Sequence, residues 1–215
     1  MQRRQMRLPA FLFLVSVFTV AAANGYEEIR LGSLGPNATV FSGEFPRSIG
    51  DEIRIPGDVN GDGFDDVLLR WYDPGLGHGG FSLVYGSTEW PREISLTDPD
   101  RRVTNFGGAV NGTIFWTAFS GDFDRDGFSD LVFADFRASF PNDPGGTDAG
   151  VLLIVYGAAE LPTEIDISRP ETFRHSLIST SRTTSSRLAN DAHFGGDING
   201  DGEPELLIGN AYHRT

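Results

Sequence analysis

Three acidic runs place side-chain oxygens at alternating positions of short, glycine-rich stretches. They read "GDVNGDGFDD" from Gly57, "GDFDRDGFSD" from Gly121 and "GDINGDGEPE" from Gly196. Carboxylates this close together repel one another unless a cation lies among them. Hard oxygen donors in a tight loop suit Ca²⁺, which takes about six to eight oxygens at roughly 2.3–2.6 Å. The runs therefore predict three calcium-binding loops.

Each loop is expected to supply five ligands, counted from the first aspartate of the run as place 1. Side-chain oxygens come from places 1, 3, 5 and 9, the main-chain carbonyl comes from place 7, and glycine at place 6 permits a sharp turn. The predicted ligands are Asp58, Asn60, Asp62, Asp66 and the Phe64 carbonyl; Asp122, Asp124, Asp126, Asp130 and the Phe128 carbonyl; and Asp197, Asn199, Asp201, Glu205 and the Glu203 carbonyl. Mg²⁺ requires stricter octahedral geometry, and transition metals favour His or Cys, which these runs lack.

Two other interpretations of the acidic runs are less consistent with the sequence. A single Asp- and Gly-rich run is often only a solvated turn, but three copies in register favour a metal site. A helical EF-hand loop needs an acidic residue at place 12 and a helix after it. Place 12 is Leu69, Phe133 and Ile208, and an apolar, strand-like stretch follows each time. The sequence therefore predicts calcium loops that precede β-strands.

The acidic runs belong to a longer repeat. Their first aspartates are 64 and 75 residues apart, and "VYGSTEWPREISL" from Val84 matches "VYGAAELPTEIDI" from Val155. A further "EEIRL", from Glu27, resembles the "REISL" and "TEIDI" that end these two segments. Short apolar runs separated by Gly and Pro predict about four strands per unit, with "EISL" and "EIDI" as the last strand. The sequence is therefore expected to form propeller-like blades.

An acidic ninth place directly before a strand resembles the FG-GAP repeat of integrin α-chain propellers and related secreted bacterial proteins. In that family a calcium loop joins the first two strands of each four-stranded antiparallel blade. The resemblance implies an all-β, incomplete propeller of about two and a half blades over residues 24–215. The expected division is an outer-strand segment at 24–48, blade 1 at 49–112, blade 2 at 113–187 and the first half of blade 3 at 188–215.

The first 23 residues read as a cleaved signal peptide. Arg3, Arg4 and Arg7 precede the apolar run 10–20, and three alanines follow it. The mature chain is expected to be secreted, extracellular or periplasmic, without inserting into a membrane. It contains no cysteine, and without those three arginines it carries 14 basic and 30 acidic side chains, a formal charge of −16. Such a charge disfavours nucleic acid and anionic membranes as partners and favours cations.

Two functions from different classes are compatible with the sequence. The first is a binding or adhesion module for a protein or glycan, as the integrin resemblance implies. The second is an accessory or catalytic propeller of a secreted enzyme, a hydrolase or lyase. No catalytic serine elbow, phosphate-binding glycine loop or zinc-binding helix motif appears, and the four histidines share no spacing. The first function is therefore expected, with no enzymatic activity.

The ligand-binding surface is expected opposite the calcium loops. There the resemblance places the connections between second and third strands, at 72–79 and 135–149, and the inter-blade segments, at 97–112 and 168–187. Two and a half blades are too few to close a propeller, which needs roughly four to eight. The chain is therefore expected to be a piece of a longer propeller or to associate with further copies.

Overall fold

The computed structural model describes residues 39–43, 48–73, 78–97, 102–107, 117–135, 150–167, 169, 172–179, 188–202 and 204–210. The predicted leader and the "EEIRL" segment lie outside these residues. In the described ranges, no helix has the length and apolar character needed to cross a bilayer. The all-β expectation is confirmed.

Thirteen strands make up the described part of the chain. They are β1 (Val40–Ser42), β2 (Ser48–Gly57), β3 (Asp66–Asp73), β4 (His78–Val84), β5 (Glu93–Ser95), β6 (Val103–Gly107), β7 (Thr117–Gly121), β8 (Asp130–Asp135), β9 (Val151–Val155), β10 (Glu164–Asp166), β11 (His175–Ser179), β12 (Leu188–Phe194) and β13 (Leu206–Asn210).

These strands form four sheets, none of which closes on itself. The first large sheet has the order β10-β6-β4-β3-β2, and the second has the order β11-β9-β8-β7. Within them, β2-β3-β4-β6 and β7-β8-β9-β11 are each four antiparallel strands. Strands β12 and β13 form an antiparallel pair, and β1 pairs with β5. Sheets of this kind are compatible with propeller blades.

The short strands β5 and β10 correct one expectation about the repeat. Strand β5 pairs in parallel with β1, and β10 pairs in parallel with β6. Each therefore joins the fourth strand of the preceding unit, so the expectation that "EISL" and "EIDI" end their own units was wrong. The fourth strands of the two complete units are β6 and β11, which lie in the segments predicted as inter-blade connections. We call β5 and β10 the clasp strands.

Side-chain hydrogen bonds join each clasp strand, and the proline carbonyl just before it, to the strand that the clasp pairs with. The hydroxyls of Thr39 and Thr104 donate to the carbonyls of Pro91 and Pro162 over 2.8 and 3.0 Å. The glutamates accept hydrogen bonds from the strand that each clasp joins. Ser42 Oγ donates to Glu93 Oε1 over 3.1 Å, and Asn105 Nδ2 donates to Glu164 Oε1 over 3.0 Å. The shared glutamates thus help to hold one unit to the next.

The two large sheets stack face to face, so their central strands are buried on both sides. Leu68 packs into the cluster between the two sheets, whereas its neighbour Leu69 packs into the cluster on the outer face of the first sheet. A third cluster covers the far face of the second sheet. Burial on both faces explains why these strands are runs of apolar residues instead of alternating apolar and polar ones.

Aromatic side chains fill the centre of the stack. Phe81 and Phe106 of the first sheet each lie 5.1 Å, centroid to centroid, from Phe133 of the second. All three rings are fully buried. Tilted ring pairs at this spacing add about 0.5–1.5 kcal/mol each beyond the area that they bury. This packing fixes the two acidic loops at one end of the adjacent sheets.

Candidate metal centres

Each acidic run forms the loop between the first two strands of its sheet: β2–β3, β7–β8 and β12–β13. The three loops share one backbone conformation. The place 6 residues Gly63, Gly127 and Gly202 have φ values of 90°, 90° and 91°. Place 4 is also left-handed, with φ values of 73° at Gly61, 64° at Arg125 and 80° at Gly200. The repeat in the sequence is therefore a repeat in space.

The aspartate at place 1 organises its own loop. Oδ1 of Asp58 accepts hydrogen bonds from the N–H groups of Gly61 and Asp62 over 2.6 and 3.1 Å, and Oδ2 accepts one from Gly63 over 2.7 Å. Asp122 and Asp197 accept equivalent bonds in the second and third loops. This carboxylate therefore stabilises the turn by hydrogen bonds and also places a negative charge within the loop.

The acid at place 9 joins the two ends of the loop and is buried in the first loop. Asp66 is fully buried; its Oδ2 accepts the N–H of Val59 over 2.9 Å and its Oδ1 that of Gly86 over 2.8 Å. Burial raises the pKa of Asp66 to about 6, and these two hydrogen bonds only partly oppose the shift. In the third loop, Oε2 of Glu205 accepts the N–H of Ile198 over 2.7 Å.

The second loop repeats this arrangement. Asp130, also fully buried, accepts the N–H groups of Phe123 and Gly157 over 2.7 and 2.9 Å. Burial raises the pKa of its carboxyl too. Sequence reasoning missed Gly86 and Gly157 as parts of the loops. The signal was present, because both glycines end the "VYG" that the two units share.

Two of the three loops gather three carboxylates. One oxygen from each member lies within 4.8 Å of the others in two groups: Asp122, Asp124 and Asp130, and Asp197, Asp201 and Glu205. Among the described residues the first loop forms no such group of three acids. Its Asn60 Nδ2 donates to Asp62 over 3.0 Å. Two acidic clusters that could hold a metal ion are thus present.

The remaining predicted ligands fall in the same loops or outside the described residues. The N–H groups of Phe64 and Phe128 each donate to the place 5 aspartate of their loop, Asp62 or Asp126, over 3.0 Å. Asn199 Nδ2 donates to Asp201 over 2.9 Å, as Asn60 does in the first loop. Glu203 lies outside the described residues. The carbonyl ligands at place 7 stay predictions.

The donor chemistry of the second loop fits a hard cation. All predicted ligand atoms are oxygens, and Oδ1 of Asp124 is buried without a hydrogen-bond partner among the described residues. A buried carboxylate oxygen that lacks a donor is costly, since most buried polar atoms in proteins are paired. A bound cation in the cluster would satisfy it. The observation supports a metal ion beside Asp122, Asp124 and Asp130.

An arginine that sequence reasoning missed lies against the second loop. Arg174, next to β11, forms ion pairs with Asp124 and with Asp126, the latter over 3.3 Å. Its guanidinium stacks on the ring of Tyr156 at 4.4 Å. Because Arg174 is 48 residues from Asp126 in sequence, no local pattern indicates the contact. The second loop therefore has an internal cation that partly neutralises it.

The first two loops also contact each other. The N–H of Ser129 donates to the carbonyl of Asp58 over 2.8 Å, and the N–H of Ala158 donates to that of Val59 over 3.1 Å. In the third unit Pro204 takes the place of Ser129 and has no N–H to donate. The first and second loops are therefore joined by a hydrogen bond that the third loop cannot make.

No family model matches the chain, and no curated protein matches it significantly. The FG-GAP resemblance therefore remains a prediction, which rests on the motif residues and on sheets compatible with blades. The connections predicted to carry the ligand-binding surface lie largely outside the described residues, at 74–77 and 136–149. That surface remains a prediction as well.

Proposed function

We propose that the chain is a calcium-stabilised propeller segment of the FG-GAP type that serves as a secreted binding module for a protein or glycan. One observation carries the proposal: the same acidic loop, in the same conformation, joins the first two strands of three successive sheets. Two of these loops gather three carboxylates each. A solvated turn does not require that arrangement.

The negative charge of the three loops explains how a bound cation stabilises the fold. The twelve side-chain ligands carry ten formal negative charges, distributed three, four and three over the loops. Three Ca²⁺ ions would reduce the formal charge of residues 24–215 from −16 to −10. Since the loops tie the first two strands of each sheet together, relief of their repulsion stabilises the fold itself. Calcium binding is therefore coupled to folding.

The buried carboxyls support a binding role over a catalytic one. A raised pKa is a common mark of catalytic acids and bases. However, both oxygens of Asp66 and both oxygens of Asp130 already accept backbone N–H groups inside the loops. Their burial has a structural explanation, which leaves no need for a reacting group there. The negative surface also suits partners that carry cations or neutral polar groups.

Thermal unfolding of the full chain in calcium, in magnesium and in chelator tests the calcium part of this proposal. We expect calcium to raise the melting temperature by several degrees and magnesium to raise it less. Isothermal titration should give up to three sites, and Asp62→Ala should remove one of them. The matched control is Asp65→Ala, which deletes an equal charge at place 8 of the same run and should retain all sites. A melting temperature that is the same in calcium and in chelator would contradict the proposal.

The binding role has its own test. Purified chain in calcium is expected to show no turnover on a panel of glycoside and polysaccharide substrates for hydrolases and lyases. It is expected to bind a subset of the glycans or extracellular proteins that are immobilised on a surface. Turnover that depends on the loop carboxylates would favour an enzyme instead.

A further inference from the structure

The first and second loops are connected through peptide groups that also carry predicted metal ligands. The N–H of Ser129, in the second loop, donates to the carbonyl of Asp58, in the first, over 2.8 Å. The N–H of Ser129 and the carbonyl of Phe128 belong to one peptide group. Because that group is planar and trans, its N–H and its C=O point in opposite directions. The bond to the first loop therefore sets the direction of a predicted ligand of the second loop.

The connection continues through the first loop to its buried acid. The carbonyl of Asp58 shares its peptide group with the N–H of Val59, and that N–H donates to Oδ2 of Asp66 over 2.9 Å. Two hydrogen bonds and two rigid peptide groups thus link the Asp66 carboxylate to the Phe128 carbonyl, which are predicted ligands of different loops. Hydrogen bonds in such a series polarise one another, so a change at one end alters the bond at the other.

A second path begins at the acid at place 9 of the second loop. Oδ1 of Asp130 accepts the N–H of Gly157 over 2.9 Å. The next N–H along the chain, that of Ala158, donates to the carbonyl of Val59 over 3.1 Å. Val59 is therefore fixed at its N–H by the place 9 acid of its own loop and, through two residues, at its carbonyl by that of the second loop.

Two glycines bring the first and second loops into close packing. A Cβ on Gly61 would lie 2.5 Å from Cε1 of Phe128, and a Cβ on Gly157 would lie 2.8 Å from the carbonyl oxygen of Val59. Both distances are too short for a side chain, so the backbone of each glycine lies directly against the other loop. Packing this close transmits a displacement of one backbone to the other.

The third loop cannot make the corresponding bond to the second loop. Its predicted carbonyl ligand, on Glu203, shares a peptide group with Pro204, whose nitrogen carries no hydrogen. The two loops are nevertheless neighbours, since the ring of Phe123 lies 4.2 Å, centroid to centroid, from that of Phe194. The second and third loops are therefore a natural control: an adjacent pair without the backbone link at this place.

We propose that the first and second loops bind calcium as a cooperative pair and that the third loop binds it independently. This inference rests on the proposed calcium sites and adds how those sites influence one another. An ion that orders one loop holds the shared peptide groups in place, so the next ion binds a loop that has already lost part of its freedom. The coupling is reciprocal, because each ion raises the affinity of the other loop by the same factor.

Repulsion between two bound ions opposes this effect and has to be separated from it. Both loops lie at the surface, where the place 5 residues Asp62 and Asp126 are exposed. Salt screens exposed charges over a length of about 10 Å at 0.1 M ionic strength and about 3 Å at 1 M. Titration in about 1 M NaCl therefore measures the coupling through the backbone with little contribution from repulsion.

Isothermal titration of chains with one or two working loops measures the coupling. Asp62→Ala, Asp126→Ala and Asp201→Ala, alone or in pairs, disable the first, second and third loops. In the Asp201→Ala chain, we expect the product of the two calcium association constants to exceed the product from the two single-loop chains by about fivefold or more. The matched control is the second and third loops in the Asp62→Ala chain, where the same ratio should stay within about twofold.

Two substitutions at Ser129 test the backbone bond itself. Ser129→Pro removes the N–H, as Pro204 does in the third loop, and should reduce the ratio for the first and second loops to within about twofold. Ser129→Ala keeps the N–H and should retain the ratio. If the Ser129→Pro chain does not fold, the comparison of the two pairs of loops decides the question.

The outcomes distinguish this proposal from the calcium sites on which it rests. Equal ratios for the two pairs of loops would overturn the cooperativity, and so would a Ser129→Pro chain as cooperative as its parent. Calcium binding to the full chain together with a ratio near one for the first and second loops would leave the proposed sites intact and refute their coupling alone. A full chain that binds no calcium would refute both.

Discussion

The backbone N–H of Gly86 donates a hydrogen bond to Oδ1 of Asp66 over 2.8 Å, and Gly157 makes the same bond to Asp130 over 2.9 Å. In each pair, the glycine is the last residue of the "VYG" motif and the aspartate is the last residue of the acidic run. The bond therefore connects the end of the third strand of a sheet to the loop before its second strand. The ninth-place acid is a structural link as well as a predicted metal ligand.

Gly86→Ala should destabilise the protein because there is no space for a side chain at this position. A Cβ there would lie 2.4 Å from the carbonyl oxygen of Asp65 and 2.6 Å from Cβ of Phe64. We expect a loss of about 1–3 kcal/mol in the free energy of unfolding, as for other overpacked sites, measured by denaturant titration. Gly107→Ala is the control, since its Cβ would approach nothing closer than 3.7 Å. Equal losses for both variants would show that the close approach at Gly86 is unimportant.

Asp66→Ala should destabilise the protein even in chelator. The substitution leaves the N–H groups of Val59 and Gly86 buried without an acceptor, at about 1–3 kcal/mol for each group. Asp62→Ala, at an exposed place of the same loop, should destabilise the protein only when calcium is present. Denaturation of both variants with and without calcium separates the two roles. If Asp66→Ala is neutral in chelator, the acid at place 9 acts through the metal alone.

Arg174→Gln should strengthen calcium binding at the second loop. The guanidinium pairs with two of the predicted ligands, so a bound ion must displace it or share their charge. Arg174 is 62% exposed, so solvent screens both of these pairs and limits their strength. We therefore expect a roughly two- to tenfold gain in affinity.

Calorimetry on a chain in which only the second loop can still bind calcium measures the effect of Arg174 on calcium affinity by itself. Asp62→Ala and Asp201→Ala disable the other two loops in every sample. The control is Arg102→Gln, because Arg102 stands at the same place in the preceding unit and donates to the carbonyl of Glu89. Weaker binding after Arg174→Gln would mean that Arg174 orients the loop carboxylates for the ion.

Asn105→Ala should weaken the attachment of the clasp strand β10 to β6 and the contact of β6 with the residue after β5. The buried amide of Asn105 accepts from Ser82 over 2.6 Å and donates to the carbonyl of Leu96 over 2.9 Å and to Glu164 over 3.0 Å. The loss leaves buried polar groups without partners, so we expect about 2–4 kcal/mol of destabilisation by denaturant titration. Asn60→Ala makes the same chemical change in an exposed loop. In chelator it should cost less than about 0.5 kcal/mol.

The loops were predictable from the sequence because their determinants are local. Asp58 bonds to residues three to five places ahead, and the left-handed turn at Gly63 needs only a residue without a side chain. A window of ten residues contains all of that information, so three copies of one pattern predict three copies of one loop. The apolar runs likewise predicted the central strands, since burial on both faces demands an apolar residue at nearly every position.

Only the tertiary structure decided which partners those elements take. A three-residue strand such as β5 has the same sequence pattern whether it pairs with its own unit or with the preceding one. The choice depends on Thr39 and Ser42, about fifty residues away. The same holds for Arg174 beside the second loop and for Gly86 beneath Asp66. These contacts arise from the stacking of whole sheets, whose free energy is spread over many residues and leaves no pattern in any one segment.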